Sequence, residues 1–335
     1  MLMQIVATLG PASAQVETQR ALAEVVDRFR LNASHLDAAS LERWLEGLAA
    51  LYWELGRELP VVVDLQGAKM RVGALPTPLE LVQGSTVCFV RDQPRDPGHD
   101  IGIDAIPVLH PQLYAAIAAG ERLWLDDARL EVAVSEVDAE AGEIRAEVLR
   151  GGLLRANKGI NRPQHPVPCE TLSPRDEAML KVALRYRFCE LAFSFVHDGS
   201  EAALLPTTVK RIAKIEREEA LSHLHAISAA FDELWLCRGD LGSQAGIFRL
   251  GELQERFCVE HIAAHPDTPG LLAGQVLEHL TEHREATRSE VVGLHQAERS
   301  GFAGIVLSDE TAVGRELAAV IAFLRQWRRA GPARV

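Results

Sequence analysis

The sequence predicts an α/β protein: a (β/α)8 TIM barrel with a small antiparallel β-barrel cap domain inserted into one of its loops. Three observations lead to this prediction. Eight short apolar runs alternate with helix-like segments, which is the pattern of repeated βα units. The rhythm changes between the third and fourth runs, and charged or amide residues follow several of the runs. Eight strands are the number that closes a parallel barrel.

The eight apolar runs are short, as expected for strands of one buried sheet rather than for helices. They span residues 4–9, 28–32, 60–66, 190–196, 211–216, 233–239, 270–275 and 304–309.

The insert is predicted over residues 72–160, which leaves 1–71 and 161–335 for the barrel. Alternating segments such as Arg129-Leu-Glu-Val-Ala-Val and Glu143-Ile-Arg-Ala-Glu-Val indicate half-buried antiparallel strands. Two independent domains side by side are the alternative. The strand and helix alternation resumes after residue 160 and completes the eight runs, which favours an insertion.

Composition restricts the classes of function. The 335 residues are 47% apolar and carry a formal charge of −12, which argues against general nucleic-acid binding because phosphate backbones require a basic surface. No apolar run approaches the length of a membrane span, and the N-terminus lacks the basic flank of a secretory signal. Five scattered cysteines fit free thiols, so we expect a soluble cytoplasmic protein that binds no membrane.

Polar residues occupy the carboxyl ends of the predicted strands, where barrel enzymes carry their functional side chains. Charged groups there are costly to desolvate unless they bind something. They are Arg30, Asn32, Asp64, Lys214, Glu216, Asp240, Gln275, Ser308, Asp309 and Glu310.

Lys214, Glu216 and Asp240 form the sharpest constellation. Lys214 and Glu216 are two residues apart on one strand and therefore point to the same face. Glu216 and Asp240, on neighbouring strands, are suited to a magnesium ion that also binds substrate oxygens. Lys214 is suited to neutralise a phosphoryl group, although a buried Lys-Glu pair that only holds the barrel is the alternative. Gly239 lets the backbone approach a ligand, so that its amide and that of Asp240 could bind a carboxylate.

Motifs along nearly the whole chain resemble those of the pyruvate kinase family, in the family's order. They are Ile5-Val-Ala-Thr-Leu-Gly-Pro-Ala-Ser, Arg30-Leu-Asn-Ala-Ser-His, Asp64-Leu-Gln-Gly-Ala-Lys-Met-Arg, Asn157-Lys-Gly-Ile-Asn-Arg-Pro, Ser194-Phe-Val, Ile212-Ala-Lys-Ile-Glu-Arg, Arg238-Gly-Asp-Leu-Gly, Ala286-Thr-Arg-Ser-Glu-Val and Leu307-Ser-Asp-Glu-Thr-Ala-Val-Gly.

The resemblance implies magnesium- or manganese-dependent phosphoryl transfer from phosphoenolpyruvate to ADP, giving pyruvate and ATP in glycolysis. The resemblance implies that the catalytic residues are Lys214, Arg30, Ser308 and Glu310 and that the substrate is bound by Arg30, Lys214, Gly239, Asp240 and Gly274. It implies that the metal is bound by Glu216 and Asp240. It implies that the nucleotide is bound by Arg71, His35, Lys158 and Pro11, with Lys158 on a cap that closes. Relatives associate through the barrel, so a homo-oligomer, and specifically a dimer, is expected.

The family's monovalent-cation site corresponds to Asn32, Ser34 and Asp64 together with a hydroxyl residue. That last position is Leu65, and Lys69 replaces an acidic residue of the same loop. The resemblance therefore implies potassium-independence, with the Lys69 ammonium in place of the ion. A solvated Lys69 without that role is the alternative.

Two further departures bear on function. The chain stops at Val335, soon after the last barrel helix, so the family's C-terminal regulatory domain is expected to be absent. Gly274 stands where the family has a threonine near the methylene carbon of enolpyruvate, so pyruvate formation should be slow and a small space should open. His197 and Asp309 also differ from the family pattern.

Three functions remain open from the sequence. The first is the phosphotransferase just described. The second is an enzyme that stabilises an enolate of pyruvate or of a substituted pyruvate. The third is a non-catalytic ligand-binding or partner protein, which the joint presence of Arg30, Arg71, Lys214, Glu216 and Asp240 disfavours.

Overall fold

The computed structural model describes residues 3–91, 104–108, 110–126, 128–162 and 171–330. The chain divides into two compact units. One comprises Met1–Gly67, Glu170–Leu241 and Phe248–Val335, and the other comprises Ala68–Cys169 and Gly242–Ile247.

The first unit is built on a closed barrel of eight parallel strands, which confirms the predicted fold class. Each strand pairs with its neighbours in the chain, and the eighth pairs with the first. The strands are β1 (Gln4–Leu9), β2 (Arg28–Asn32), β3 (Val61–Leu65), β4 (Cys189–Phe193), β5 (Arg211–Ile215), β6 (Glu233–Cys237), β7 (Gly270–Ala273) and β8 (Gly304–Leu307).

Helices follow the strands of this unit. The longest begins after Asp37, whose carboxylate accepts a hydrogen bond from the Ser40 amide, and ends at Gly56 with a φ of 63°. The α-helices are Val16–Ala23, Ala38–Leu55, Pro174–Ala183, Leu224–Ala230, Arg238–Ala245, Leu250–Phe257, Arg288–Arg299, Asp309–Ala312 and Leu317–Ala330; shorter 3-10 or π turns are Pro11–Ser13, Ala33–His35, Ser200–Leu204, Glu219–His223, Ile247–Arg249, Cys258–Ile262 and Glu278–Thr281.

The barrel interior is filled by layers of inward-facing side chains, as the alternation along each strand requires. Near the start of the strands, Arg28 of β2 and Glu233 of β6 form a buried ion pair. The middle of the barrel is apolar, and Trp235 and Leu271 there are fully buried. At the carboxyl ends the layer becomes polar again, and this layer carries the candidate site.

The second unit is mainly a β structure; it contains the short helix Pro111–Ala116 and the last residues of the helix Arg238–Ala245. Its main sheet has seven strands, antiparallel except where the last two pair in parallel. In sheet order these are Met70–Arg71, Gly159–Asn161, Arg122–Leu125, Leu130–Asp138, Glu143–Arg150, Thr86–Val90 and Asp104–Pro107; Gly152–Leu154 and Leu79–Leu81 form a separate antiparallel pair.

The predicted runs overshoot several strand ends. The fourth run was extended to residue 196, but β4 ends at Phe193 and Phe195 adopts a φ of 60°. The sixth was extended to residue 239, but a helix begins at Arg238. These ends turn sharply because they leave the barrel at its mouth.

Cys88, Cys189, Cys237 and Cys258 are free thiols, as predicted, and Cys169 lies outside the described residues. Within the described ranges, none of the helices has the length and apolarity needed to cross a bilayer.

Candidate active site

Lys214, from β5, is the centre of the polar layer at the barrel mouth. Its ammonium lies 2.9 Å from Glu216 Oε1 and 3.1 Å from Asp64 Oδ2. It also donates a hydrogen bond of 3.0 Å to Ser194 Oγ. A buried ammonium is stable only when its protons are matched in this way.

Arg30, from β2, reaches the same carboxylate from the other side. Its Nε and Nη2 lie 2.8 and 2.5 Å from Asp64 Oδ2, and its Nη1 donates to Thr8 Oγ1 at 2.9 Å. Thr8 in turn donates to the carbonyl of Leu307 at 2.7 Å. The guanidinium is therefore fixed by groups from three strands.

The opposite charges of this cluster keep one another ionised. Burial alone would lower the pKa of Lys214, but the carboxylates of Asp64 and Glu216 outweigh it and raise the pKa. Burial alone would raise the pKa of Asp64, but Lys214 and Arg30 lower it. Two cations thus remain charged at the mouth, where an anionic substrate could bind them.

Glu216 and Asp240 fit a magnesium ion by the chemistry of their oxygens. Glu216 Oε2 accepts a hydrogen bond from the Phe195 amide at 2.8 Å, which fixes the carboxylate. Asp240 lies in the first turn of its helix. Burial raises the pKa of the Cys237 thiol, and the negative charges of Glu216, Asp64 and Asp240 act in the same direction.

Magnesium is commonly held by one or two carboxylates while water and phosphate oxygens complete its shell. In the described part of the chain, no set of three or more His, Cys, Asp or Glu side chains is placed to hold a metal alone.

Arg238 connects the ends of β6 and β7. Its guanidinium donates to the carbonyl of Gly274 at 2.9 and 2.7 Å and to that of Gln275 at 2.7 Å. This holds the Gly274 turn against the start of the helix that contains Gly239 and Asp240. Arg238 therefore ties the backbone at the end of β7 to the start of this helix.

The expectation that a small space opens at Gly274 is wrong at the β-carbon position. Gly274 has a φ of 88°, which side chains rarely adopt. A β-carbon here would lie 3.0 Å from the amide nitrogen of Gly239. The amide of Gly239 in the neighbouring loop crowds the position that a β-carbon would take.

Substituting threonine at Gly274 is therefore expected to destabilise the protein by about 1–3 kcal/mol, since a β-branched residue would be forced to a positive φ. Melting temperature and urea midpoint would measure the loss. Gly293→Thr is the control, because this helical glycine has open space around its β-carbon. Equal stability of Gly274→Thr and wild type would contradict the predicted strain.

Ser308 and Glu310 lie at the end of β8. Glu310 is 2% exposed, and its two carboxylate oxygens accept hydrogen bonds from the amides of Leu277 at 3.0 Å and of Ser308 at 2.7 Å. Because both carboxylate oxygens accept hydrogen bonds from backbone amides, the geometry favours a positioning role for Glu310 over the catalytic role expected from the sequence. Ser308 is fixed through the same carboxylate.

Asn32, Ser34 and His35 occupy the turn after β2. Asn32 Oδ1 accepts a hydrogen bond from the Ser34 amide at 3.1 Å. Arg175 holds the turn by donating to the carbonyls of Ser34 at 3.0 Å and of Leu36 at 2.7 Å. Loops after two neighbouring strands thus carry the predicted nucleotide residues His35 and Pro11.

A cavity of about 410 Å³ opens in the outer layer of the barrel unit. Its lining includes Ala14, which follows the Pro11 turn, and Leu36, which follows His35. Trp44 adds an aromatic side chain to the wall. The cavity therefore lies next to the two predicted nucleotide residues of this unit.

Lys69, Arg71 and Lys158 belong to the second unit, which brings them to neighbouring strands. Arg71 pairs with Gly159 across the sheet, and its Nη1 donates to the carbonyl of Asn157 at 2.8 Å. Lys158 Nζ lies 2.6 Å from Asp126 Oδ1. Lys69 lies against Gly159, with its Cε near that residue's backbone.

Three residues that position the site were missed in the sequence prediction. Thr8 and Ser194 lie at the ends of β1 and β4, so the strand-end rule could have included them. Asp176 accepts hydrogen bonds from the amides of Gln66 and Gly67, both at 3.0 Å. No local sequence pattern predicts this contact, because 110 residues separate Asp176 from Gln66.

Comparison with known proteins gives one consistent family. The family model described as "Pyruvate kinase, barrel domain" matches residues 2–319. A pyruvate kinase of Agrobacterium vitis is 34% identical over 318 residues, which cover 93% of this chain and 64% of that protein. Pyruvate kinases of Methylorubrum extorquens and Thermococcus litoralis are each 30% identical over 93% of this chain, covering 64% and 66% of their own lengths. The chain thus spans somewhat less than two thirds of these relatives.

Proposed function

Because this chain belongs to the pyruvate kinase family, we propose that it transfers the phosphoryl group of phosphoenolpyruvate to ADP, giving pyruvate and ATP. The observation that carries the proposal is the pair of buried cations, Lys214 and Arg30, that meet at Asp64. Both point into the barrel mouth, and both stay charged. Such preorganised positive charge is what stabilises a phosphoryl group in transit.

The remaining residues of the mouth complete this function. Bound by Glu216 and Asp240, magnesium or manganese would add positive charge where negative charge develops on the substrate. The amides of Gly239 and Asp240, fixed through Arg238, would hold the substrate carboxylate. Arg30 would orient the phosphate, and Lys214 would neutralise it as the bond to the enol oxygen breaks.

The nucleotide is proposed to bind through His35 and Pro11 of the barrel unit and through Arg71 and Lys158 of the β unit. The cavity beside Leu36 offers apolar wall for a base. On nucleotide binding, the Lys158 ammonium would leave its ion pair with Asp126 and contact phosphate oxygens instead.

Potassium is proposed to be unnecessary. Asp64, the carboxylate of the family's monovalent-cation site, is already neutralised by two cations of the chain. Ser194 donates to the backbone oxygen of Leu65 at 2.8 Å, and the apolar Leu65 side chain offers no ligand oxygen. Lys69 would supply the ammonium that replaces the ion.

The direct test is to incubate the full chain with magnesium, phosphoenolpyruvate and ADP and to follow ATP and pyruvate together. Both products should form in equal amounts, and the rate should be the same in potassium chloride and in tetramethylammonium chloride of equal ionic strength. Removal of the divalent ion with EDTA should stop the reaction.

A different experimental result would overturn each part of the proposal. A rate that rises at least tenfold with potassium would overturn potassium-independence alone. Absence of both products, with magnesium-dependent oxalate binding intact, would replace phosphoryl transfer by enolate chemistry on pyruvate or an analogue. Failure to bind oxalate or nucleotide would leave a non-catalytic role.

A further inference from the structure

The Cys237 side chain lies in the polar layer of the barrel mouth. Cys237 is the last residue of β6, and its partner across the sheet is Ala273, which precedes Gly274. Trp235 and Leu271, one layer deeper, are fully buried, whereas Cys237 and Ala273 are 7% and 6% exposed. Cys237 therefore lies one layer nearer to the mouth, where substrate would bind, than Trp235 does.

Two other neutral proton donors of the layer, Ser194 and Thr8, are engaged elsewhere. The hydroxyl of Ser194 donates to the carbonyl of Leu65 at 2.8 Å, and that of Thr8 donates to the carbonyl of Leu307 at 2.7 Å. The Cys237 thiol makes only a weak contact of 3.6 Å with the backbone oxygen of Trp235 in its own strand. Its proton can turn to a ligand at little cost.

Gly274 cannot supply a proton from a side chain, and its backbone conformation resists a replacement. A β-carbon at Gly274 would lie 3.0 Å from Gly239 N and 3.5 Å from Arg238 N. Because Arg238 directly follows Cys237, Gly274 and the thiol belong to one corner of the site. On the adjacent strand, Lys214 pairs with Trp235, which lies two residues before Cys237.

We propose that Cys237 is the proton donor that converts enolpyruvate to pyruvate in this site, an inference that rests on the proposed function. The S–H bond breaks and a C–H bond forms at the methylene carbon. The electron pair of the C=C bond forms the new C–H bond, and the enolate oxygen completes the C=O bond. The thiolate regains its proton from water.

Exchange of the methyl protons of pyruvate in D2O isolates this step from phosphoryl transfer. The full chain would be incubated with pyruvate, magnesium and ATP, and loss of the methyl signal followed by proton NMR. Cys237→Ala should lower the exchange rate by about 10²–10⁴-fold, the usual contribution of a positioned proton donor. Cys237→Ser, which keeps an exchangeable proton, should lie between Cys237→Ala and wild type.

Cys258→Ala, in the outer layer of the barrel unit, is the matched control and should exchange at the wild-type rate. Oxalate affinity within twofold of wild type would show that Cys237→Ala keeps an intact site. Exchange by Cys237→Ala within threefold of wild type overturns the proposal. Wild type that makes ATP but does not exchange also overturns it and leaves the proposed function standing. Wild type that does neither overturns the proposed function.

Discussion

Replacing Lys214 with methionine is expected to lower kcat for ATP formation by at least about 10²–10³-fold, the typical effect of removing one preorganised donor from a transition state. Methionine keeps much of the length and apolar stem of lysine but removes the only ammonium that contacts both Asp64 and Glu216 among the described residues. The measurement is the initial rate of ATP formation at saturating phosphoenolpyruvate and ADP.

The control is Lys181→Met, since the Lys181 side chain is 79% exposed on a helix of the outer layer. It should retain wild-type rates. Lys214→Met will also be less stable, by about 3–5 kcal/mol, because two buried carboxylates lose a partner. Rates are therefore compared below the melting temperature of the variant. A folded Lys214→Met with at least a tenth of wild-type kcat would contradict the role proposed for this ammonium.

The strands were predictable because each is a short apolar run with its own local signature. All eight were placed within a few residues, since strands buried on both faces are mostly apolar. The ends were less predictable. At Arg238 the chain enters a helix directly from β6, and at Gly274 a positive φ ends β7. The conformation of such a turn depends on the space that the neighbouring loop leaves, which the local sequence does not specify.

The charged residues of the candidate site could be predicted because strand ends of a barrel converge. Lys214, Glu216, Arg30 and Asp64 were expected at one mouth, and the structure brings them into contact. Their hydrogen-bond partners could not be predicted. For Glu310 the geometry favours a positioning role, because its carboxylate holds the nearby amide of Ser308 and the amide of Leu277 in another loop, and the second contact follows from no sequence spacing.

The lower end of the barrel carries a second ion network that sequence analysis did not find. Glu233 of β6 is fully buried and accepts hydrogen bonds from Arg28 at 2.8 Å, Lys210 at 2.6 Å and the Trp235 indole at 2.6 Å. Arg28 and Glu233 lie 205 residues apart in the chain. Only closure of the barrel brings the two residues together, so this network forms only when the barrel is closed.

Glu233→Gln is expected to lower the free energy of unfolding by about 3–5 kcal/mol, because Arg28 would keep its buried charge without its main counter-charge. The urea midpoint at neutral pH measures this loss. Glu260→Gln is the control, since the exposed Arg256–Glu260 pair should contribute less than about 1 kcal/mol. A change in Glu233→Gln as small as in the control would show that the network adds nothing net to stability.

The same network predicts how the difference between wild type and Glu233→Gln depends on pH. Burial would raise the pKa of Glu233, but Arg28 and Lys210 lower it below the ordinary glutamate value of 4.5. A lowered pKa in the folded state means that the carboxylate stabilises the fold fully above pH 4.5 and loses this effect as the pH falls through the folded value. The stability gap should therefore be constant from neutral pH down to about 5 and should narrow below 4.5. A gap that widens on acidification would mean that Glu233 is protonated in the folded protein and that its partners do not outweigh its burial.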